Sequence, residues 1–333
     1  MGSAPLRYLS AADVNAAMPG VDERIDLARQ TMIALVDSAE LPPKLGVHPR
    51  QPGSLAHAMP ALLRGGEVDG AHDLAGVKWV TAFPGNRALG LPAIHALVLL
   101  SDATTGVPIA ILDGGPITAQ RTAAVSGVAL RAWWPLTDGR PARIALVGAG
   151  VQGESHVEVL ARIAPSGCTL TIVDRYADSA ARLATAAAAH GSFAEVASSA
   201  DAGAAVADAD VVLTMVSFGP QRQSLPAAAF ARAGLIVAVD YDMLVPAAVV
   251  AGSRAFVTDD IAQFEATRSD TVFAGYPPPD ASIGQALTGS APALRDRGPI
   301  VVNHLGVGLA DVVFADAIVR RAAAMGLGVE LPR

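Results

Sequence analysis

The sequence predicts an α/β protein in which a mainly parallel sheet, wrapped by helices on both faces, accompanies a separate α+β domain. Three observations predict it. From Arg143 the chain alternates strand, helix and strand: Ile144 to Val147, Gly153 to Ile163, then Leu170 to Val173. Such alternation builds parallel sheets, because a parallel return needs a crossover connection. Before that point, Leu41 to Asp113 holds short apolar runs punctuated by Gly and Pro, with no long helix between them. Finally, 333 residues exceed the length over which one hydrophobic core keeps growing, so two domains are expected.

Taken in order, Val21 to Ser38 has apolar residues near helical spacing (Val21, Ile25, Ala28, Met32, Leu35, Val36) and reads as an amphipathic helix. Gly76 to Val80, Ala96 to Leu100 and Pro108 to Leu112 read as strands, the last two joined through Thr105-Gly106 as a hairpin. A second helix runs from about Thr118 to Trp134 and is broken by Pro135 and Asp138-Gly139. Further strands follow at Val211 to Met215, Leu235 to Val239, Ala255 to Val257 and Ile300 to Val302. A final helix, Ala310 to Ala324, either returns to the first domain or caps the parallel sheet; pattern alone leaves both open.

Composition narrows the function. A formal charge of -7 gives no broad basic footprint for nucleic acid. No window reaches the uninterrupted apolar length of a membrane span, and the N-terminus lacks a secretory pattern, so a cytoplasmic protein without membrane contact is expected. Cys168 is the single cysteine, which excludes an internal disulfide, and the histidines show no metal-ligand spacing, so no metal is expected.

The strongest local signal is Gly148-Ala149-Gly150-Val151-Gln152-Gly153, a complete GxGxxG between a strand and a helix. Gly148 permits the tight turn, Gly150 lets backbone approach a pyrophosphate, and Gly153 lets helix and strand pack closely. The N–H groups of the first helical turn, at Val151 and Gln152, face the phosphates. This predicts a Rossmann-type domain. Asp174 ends the next strand, where a carboxylate accepts hydrogen bonds from the adenosine ribose and repels a 2'-phosphate, so NAD(H) is preferred. The neighbouring Arg175 keeps NADP(H) open, since a guanidinium there can grip the extra phosphate. Thr214 and Ser217, closing a later strand, are candidate backbone contacts on the nicotinamide side.

Candidate chemistry lies in charges set among apolar residues. Lys78 is inside the strand Gly-Val-Lys-Trp-Val. Arg121 falls in the first turn of the predicted second helix, where a cation needs a compensating anion. Lys44 follows Pro42-Pro43. The three can converge on a substrate carboxylate, or each can pair with an internal acid. Asp240, at the carboxyl end of a parallel strand, is placed for a protonated amine or iminium. Asp242 reads as a solvated loop group. His95, Asp102, Asp113 and Asp311 read as turn or capping residues.

The blocks Gly76-Val-Lys-Trp-Val, Phe83-Pro-Gly-Asn86, Gly90-Leu-Pro92, Leu112-Asp-Gly114, Ile117-Thr-Ala-Gln-Arg-Thr-Ala-Ala124 and GAGVQG occur in an order that resembles the ornithine cyclodeaminase and mu-crystallin family. The resemblance implies a homodimer built through a substrate-binding and dimerisation domain of residues 1–120, to which 305–333 return, with 121–304 as the Rossmann NAD(P)-binding domain. It implies an active site between the domains. It also places Lys44, Lys78 and Arg121 at carboxylate-binding positions and Asp240 at the position that meets the reacting amine. His57 stands where the cyclodeaminase pattern has a glutamate for a distal ammonium. An imidazole suits a second carboxylate better than a diamine, and Pro42-Pro43-Lys44 with His57-Ala-Met-Pro resembles the alanine dehydrogenase or imino-acid reductase branch. The C-terminal Asn303-His304-Leu305-Gly306 departs from the family's pattern. The expected function is therefore an NAD(P)-dependent amino-acid dehydrogenase or imine reductase acting on a small amino or imino acid, dicarboxylic acids included. Alternatives are a cyclodeaminase that recycles its NAD internally and a non-catalytic protein binding NAD(P) and a small ligand.

Overall fold

The computed structural model describes residues 5–65, 72–219 and 221–332. The chain divides into two units, Met1–Arg121 with Gly306–Arg333, and Thr122–Leu305. Its elements begin with β1 (Leu6–Leu9), α1 (Ala11–Ala16), α2 (Val21–Ala34), β2 (Ala39–Glu40), β3 (Leu45–Val47), β4 (Leu55–Leu63), β5 (Leu74–Ala82), β6 (Ile94–Asp102), β7 (Pro108–Asp113) and α3 (Gly114–Trp133). They continue with β8 (Arg143–Val147), α4 (Val151–Ile163), β9 (Thr169–Val173), α5 (Ala177–Ala189), β10 (Glu195–Ser199), α6 (Ala202–Ala207), β11 (Val211–Thr214), β12 (Leu235–Ala238) and α7 (Ala247–Ala251). The last are β13 (Ala255–Thr258), α8 (Ile261–Thr267), β14 (Ala281–Ser282), α9 (Ile283–Leu287), β15 (Ile300–Asn303), α10 (Gly308–Met325) and β16 (Val329–Leu331).

In the first unit one sheet runs β16-β1-β7-β6-β5-β4-β2, with β3 also paired to β4. Strands β4 to β7 form antiparallel neighbours, and Thr105-Gly106 turns β6 into β7 as expected, with Gly106 at φ 72. Helix α10 packs on β4, β5 and β6 and against α2. It is buried continuously from Gly308 to Ile318, as a helix surrounded by protein must be. Strand β4 escapes a sequence reading because its Ala and Pro content is poor for strands. Pro60 is tolerated because β3 covers only Ala56–Ala58 and β2 only Leu62–Leu63, so the missing N–H faces neither short edge strand.

Two predicted helix boundaries are corrected. The first helix ends at Ala34, because Val36 N bonds back three residues to Ile33 O and tightens the chain toward β2. The helix predicted from Thr118 starts at Gly114, where the Asp113 carboxylate accepts the Gly115 N–H at 2.8 Å.

In the second unit every strand pair is parallel, in the order β10-β9-β8-β11-β12-β15-β13-β14. Strands β11, β12, β13 and β15 are buried at every residue, so they read as unbroken apolar runs. The winding reverses between β8 and β11. The carboxyl ends flanking such a reversal form the usual crevice for a nucleotide.

Candidate functional site

In the second unit, β8 delivers the chain to Gly148, whose φ of 119 favours glycine. A Cβ there would strike the Met215 carbonyl, and one at Gly153 would strike the Gly148 carbonyl, so both close approaches require the motif's glycines. Helix α4 starts at Val151 with Gly150 as its N-cap and no side-chain cap. Its first-turn N–H groups, including those near Val151 and Gln152, are therefore not satisfied by a capping side chain. Asp174 follows β9 and accepts from Ala149 N at 2.8 Å and Tyr176 N at 2.9 Å. Each carboxylate oxygen keeps a further acceptor position. Arg175 is exposed, its guanidinium 5.3 Å from the Tyr176 ring centre. The turn, the uncapped helix and the acid at the neighbouring strand end fit a dinucleotide.

Asp240 lies two residues beyond β12 and is buried. Its Oδ1 accepts the Thr214 hydroxyl at 2.7 Å and its Oδ2 the Val216 N–H at 3.0 Å. Thr214 thus acts through its side chain as well as lying at the end of β11. Burial raises the Asp240 carboxyl to about 7, against those two hydrogen bonds. Ser217 is exposed, and its carbonyl accepts from Gln223 Nε2 at 3.4 Å. Asp242 is not the solvated group the sequence suggested. It accepts from Phe273 N at 2.9 Å and pairs with Arg222 Nε at 2.9 Å, which anchors the turn.

The first unit gathers the cations. Lys78 on β5 is 1% exposed, and its Nζ lies 2.7 Å from Asp311 Oδ2 on α10. Arg121 Nε lies 3.1 Å from Asp311 Oδ1. Because α3 begins at Gly114, Arg121 sits two turns inside the helix, and the expected clash with the helix dipole does not arise. Burial lowers the Lys78 ammonium to about 7; Asp311 opposes the shift, while Arg121 and Lys44 reinforce it. His57 pairs with Val80 two positions along from the Met59–Lys78 pair, so the His57 and Lys78 side chains share one sheet face. The His57 ring lies over Gly46, which faces it on β3. Lys44 stands immediately ahead of that strand, half-buried. Burial, followed by Lys44, His48 and Lys78, lowers the His57 imidazole to about 4 and keeps it neutral at pH 7.

The residue missed in the sequence is Asp311. Val307 is the N-cap of α10, so Asp311 is not a cap; it is the shared anion of Lys78 and Arg121. The need was visible, since two cations in apolar segments demand a carboxylate. Its source was not, because an Asp in a first helical turn equally satisfies the helix dipole.

The profile of the Ornithine cyclodeaminase/mu-crystallin family matches residues 12–229. The chain belongs to that family. Among family relatives, Nodulation efficiency protein NfeD of Rhizobium meliloti is 32% identical over 98% of both chains. Delta(1)-pyrroline-2-carboxylate reductase 1 of Burkholderia multivorans is 39% identical over 123 residues, 37% of this chain and 36% of that protein. The structure of Thermococcus litoralis Delta(1)-pyrroline-2-carboxylate reductase, in complex with NADH and L-proline, superposes with a TM-score of 0.80. It covers 98% of this chain and 100% of that one at 20% identity, a likeness of fold.

Proposed function

We propose that the chain is an NAD(H)-dependent oxidoreductase acting on a small amino or imino acid at the bond between the α carbon and nitrogen. The observation that carries the reading is the buried Lys78–Asp311–Arg121 group. Two cations share one carboxylate, which leaves positive charge for a substrate carboxylate, and Arg121 keeps its terminal nitrogens for a forked grip. Lys44 adds to that charge, and His57 contacts the substrate side chain.

Asp240 handles the proton. Raised to about 7, it is substantially protonated at neutral pH, which suits a general acid for a C=N nitrogen. NADH, when bound, supplies the hydride. In reduction the π pair of the C=N bond moves to nitrogen, which takes the Asp240 proton as the α carbon is reduced. The products are the amine, NAD⁺ and an Asp240 carboxylate that solvent reprotonates. Gly148, Gly150, Val151, Gln152 and Gly153 would hold the pyrophosphate, and Asp174 would take the ribose hydroxyls. Thr214 orients Asp240, and the Ser217 backbone would flank the nicotinamide. Arg175 makes NADP(H) the weaker second cofactor. The relatives named as reductases of a cyclic imino acid support this reading.

The same proposal includes a homodimer and a cytoplasmic place. Trp79, Leu97 and Ile109 are 45%, 46% and 38% exposed on one side of the first unit's sheet, opposite the face that holds Lys78. An apolar sheet face of this kind favours burial against a second copy. Among the described residues, no helix is long and apolar enough to cross a membrane.

A substrate panel tests the activity. Delta(1)-pyrroline-2-carboxylate, pyruvate and oxaloacetate with ammonia or methylamine, ornithine and lysine are each supplied with nicotinamide cofactor, following NADH absorbance and product mass together. The expected result is stoichiometric NADH consumption with an imine. Proline formed from ornithine with no net cofactor change would overturn it in favour of cyclodeamination.

A further inference from the structure

Three buried side chains of the second unit form a hydrogen-bonded line that the proposed chemistry leaves unused. His156 lies on α4, one turn beyond Gln152, with its Nδ1 2.7 Å from the Gln152 carbonyl oxygen. Its Nε2 is 2.8 Å from Ser126 Oγ on α3. The same hydroxyl is 2.9 Å from Nε2 of His304, the residue after β15. All three residues are buried.

The direction of this line follows from its chemistry. A carbonyl only accepts, so His156 carries its proton on Nδ1. Burial lowers His156 to about 4, so the ring is neutral at neutral pH and its Nε2 accepts the Ser126 O–H. With its one proton committed, Ser126 Oγ can only accept from the second histidine. His304 is therefore protonated on Nε2.

The line ends at the carboxyl end of β15, which is paired with the end of β12, two residues before Asp240. Asn303 precedes His304 and is paired in register with Ala238 on β12. It is buried, and its Nδ2 donates to the Tyr241 carbonyl at 2.7 Å. An amide turned the other way would set two acceptor oxygens against each other, which fixes its orientation. Tyr241 directly follows Asp240 and has a φ of 59, a conformation that a residue with a Cβ holds only under constraint. Asn303 supplies part of that constraint.

We propose that Asn303 is a positioning residue for Asp240, and that the line Gln152–His156–Ser126–His304 holds it in place by tying the end of β15 to the first turn of the cofactor helix. The importance of Asp240 rests on the function proposed above; the proton positions along the line do not.

Long-range proton–nitrogen NMR of the labelled protein reads the tautomers directly. The expected result is His156 protonated on Nδ1 and His304 on Nε2. A charged His156, or the opposite tautomer of either ring, would overturn the line. Carbon-detected carboxyl NMR then follows Asp240 in the wild type and in Asn303→Ala, His304→Leu and His304→Gln. In the first two variants the midpoint should fall by about one pH unit or more as water reaches the carboxylate. His304→Gln, which keeps an N–H near the Nε2 position, should restore it. An unmoved midpoint in Asn303→Ala and His304→Leu, or identical behaviour of the Gln and Leu variants, would reject positioning. NADH fluorescence on the same variants should show affinity within about threefold of wild type, the mark of an intact domain with its reacting group displaced. A wild-type protein that binds no NADH would remove the cofactor reading, while the tautomers and the Asp240 midpoint would still decide the positioning.

Discussion

Lys78 Nζ sits 2.7 Å from Asp311 Oδ2, across 233 residues of chain, and Asp311 is fully buried with Arg121 on its other oxygen. Removing the shared anion leaves two buried cations facing each other. Asp311→Ala should therefore cost roughly 3–5 kcal/mol of stability, because an uncompensated buried charge is far more costly than an exposed one. Lys78→Met removes one cation of similar volume and leaves Asp311 with Arg121, so its stability should change much less, while turnover is largely lost. Thermal unfolding beside steady-state kinetics checks both, and equal destabilisation by the two variants would contradict the shared-anion account.

Cofactor choice should turn on Asp174. Its carboxylate holds the Ala149 N–H at 2.8 Å, so the informative variant is Asp174→Asn, which keeps a carbonyl acceptor there and removes the charge. With Arg175 exposed beside it, NADPH affinity should rise about tenfold relative to NADH, since a repelled 2'-phosphate then meets a cation. Fluorescence titration with both cofactors measures the ratio, and an unchanged ratio would remove Asp174 from the ribose site.

The fold was largely legible in the sequence wherever one short stretch sets its own geometry. The parallel strands announce themselves as apolar runs, and the GxGxxG turn carries its own steric reasons at Gly148 and Gly153. Strand β4 was hidden because Ala and Pro lack strand propensity; its pairing partners, not its composition, make it a strand. At the candidate site, Lys78, Arg121 and Asp240 stand out as charges in apolar surroundings. Their partners do not, because Asp311, Thr214 and the Val216 N–H meet them only after long-range folding. Asp242 misled for the same reason, since its anchors Arg222 and Phe273 lie in other segments.

The proposed dimer should depend on the pair Trp79 and Leu97, which face each other across β5 and β6. Trp79→Glu with Leu97→Glu places two like charges opposite each other on the apolar face, which should cost the folded monomer modestly and be prohibitive for a face-to-face contact. Light scattering over a range of concentrations should give a dimer mass for the wild type and a monomer mass for the double variant. A dimer that persists in the variant would place the contact elsewhere.

Two buried groups with opposite shifts give the protein an unusual pH response. Asp240 is raised from 3.8 to about 7, so between those values the folded chain binds more protons than the unfolded one. Its contribution to stability is fully present below about pH 4 and is lost as pH rises through about 7. Lys78 is lowered from 10.5 to about 7, so there the folded chain binds fewer protons. Its contribution is fully present above about pH 10.5 and is lost as pH falls through about 7. By themselves the two groups make stability fall from pH 4 to 7 and rise from 7 to 10, while His57 and His156, lowered from 6.5 to about 4, add a rise between those two values that opposes the Asp240 limb. Asp240→Asn should therefore steepen the rise of stability between pH 4 and 7 and leave the change above 7, whereas Lys78→Met should flatten the rise above 7 and leave the lower range; melting temperature across the range reads both. The same titrations act on turnover. Under the proposed chemistry, imine reduction should decline as pH rises through about 7, because Asp240 would lose the proton it is proposed to donate and Lys78 the charge proposed to hold the carboxylate. Amine oxidation needs Asp240 as the carboxylate and should improve over the same interval until the loss of Lys78 charge weakens binding. A reductive rate that stays flat from pH 5 to 9 would remove Asp240 from proton transfer.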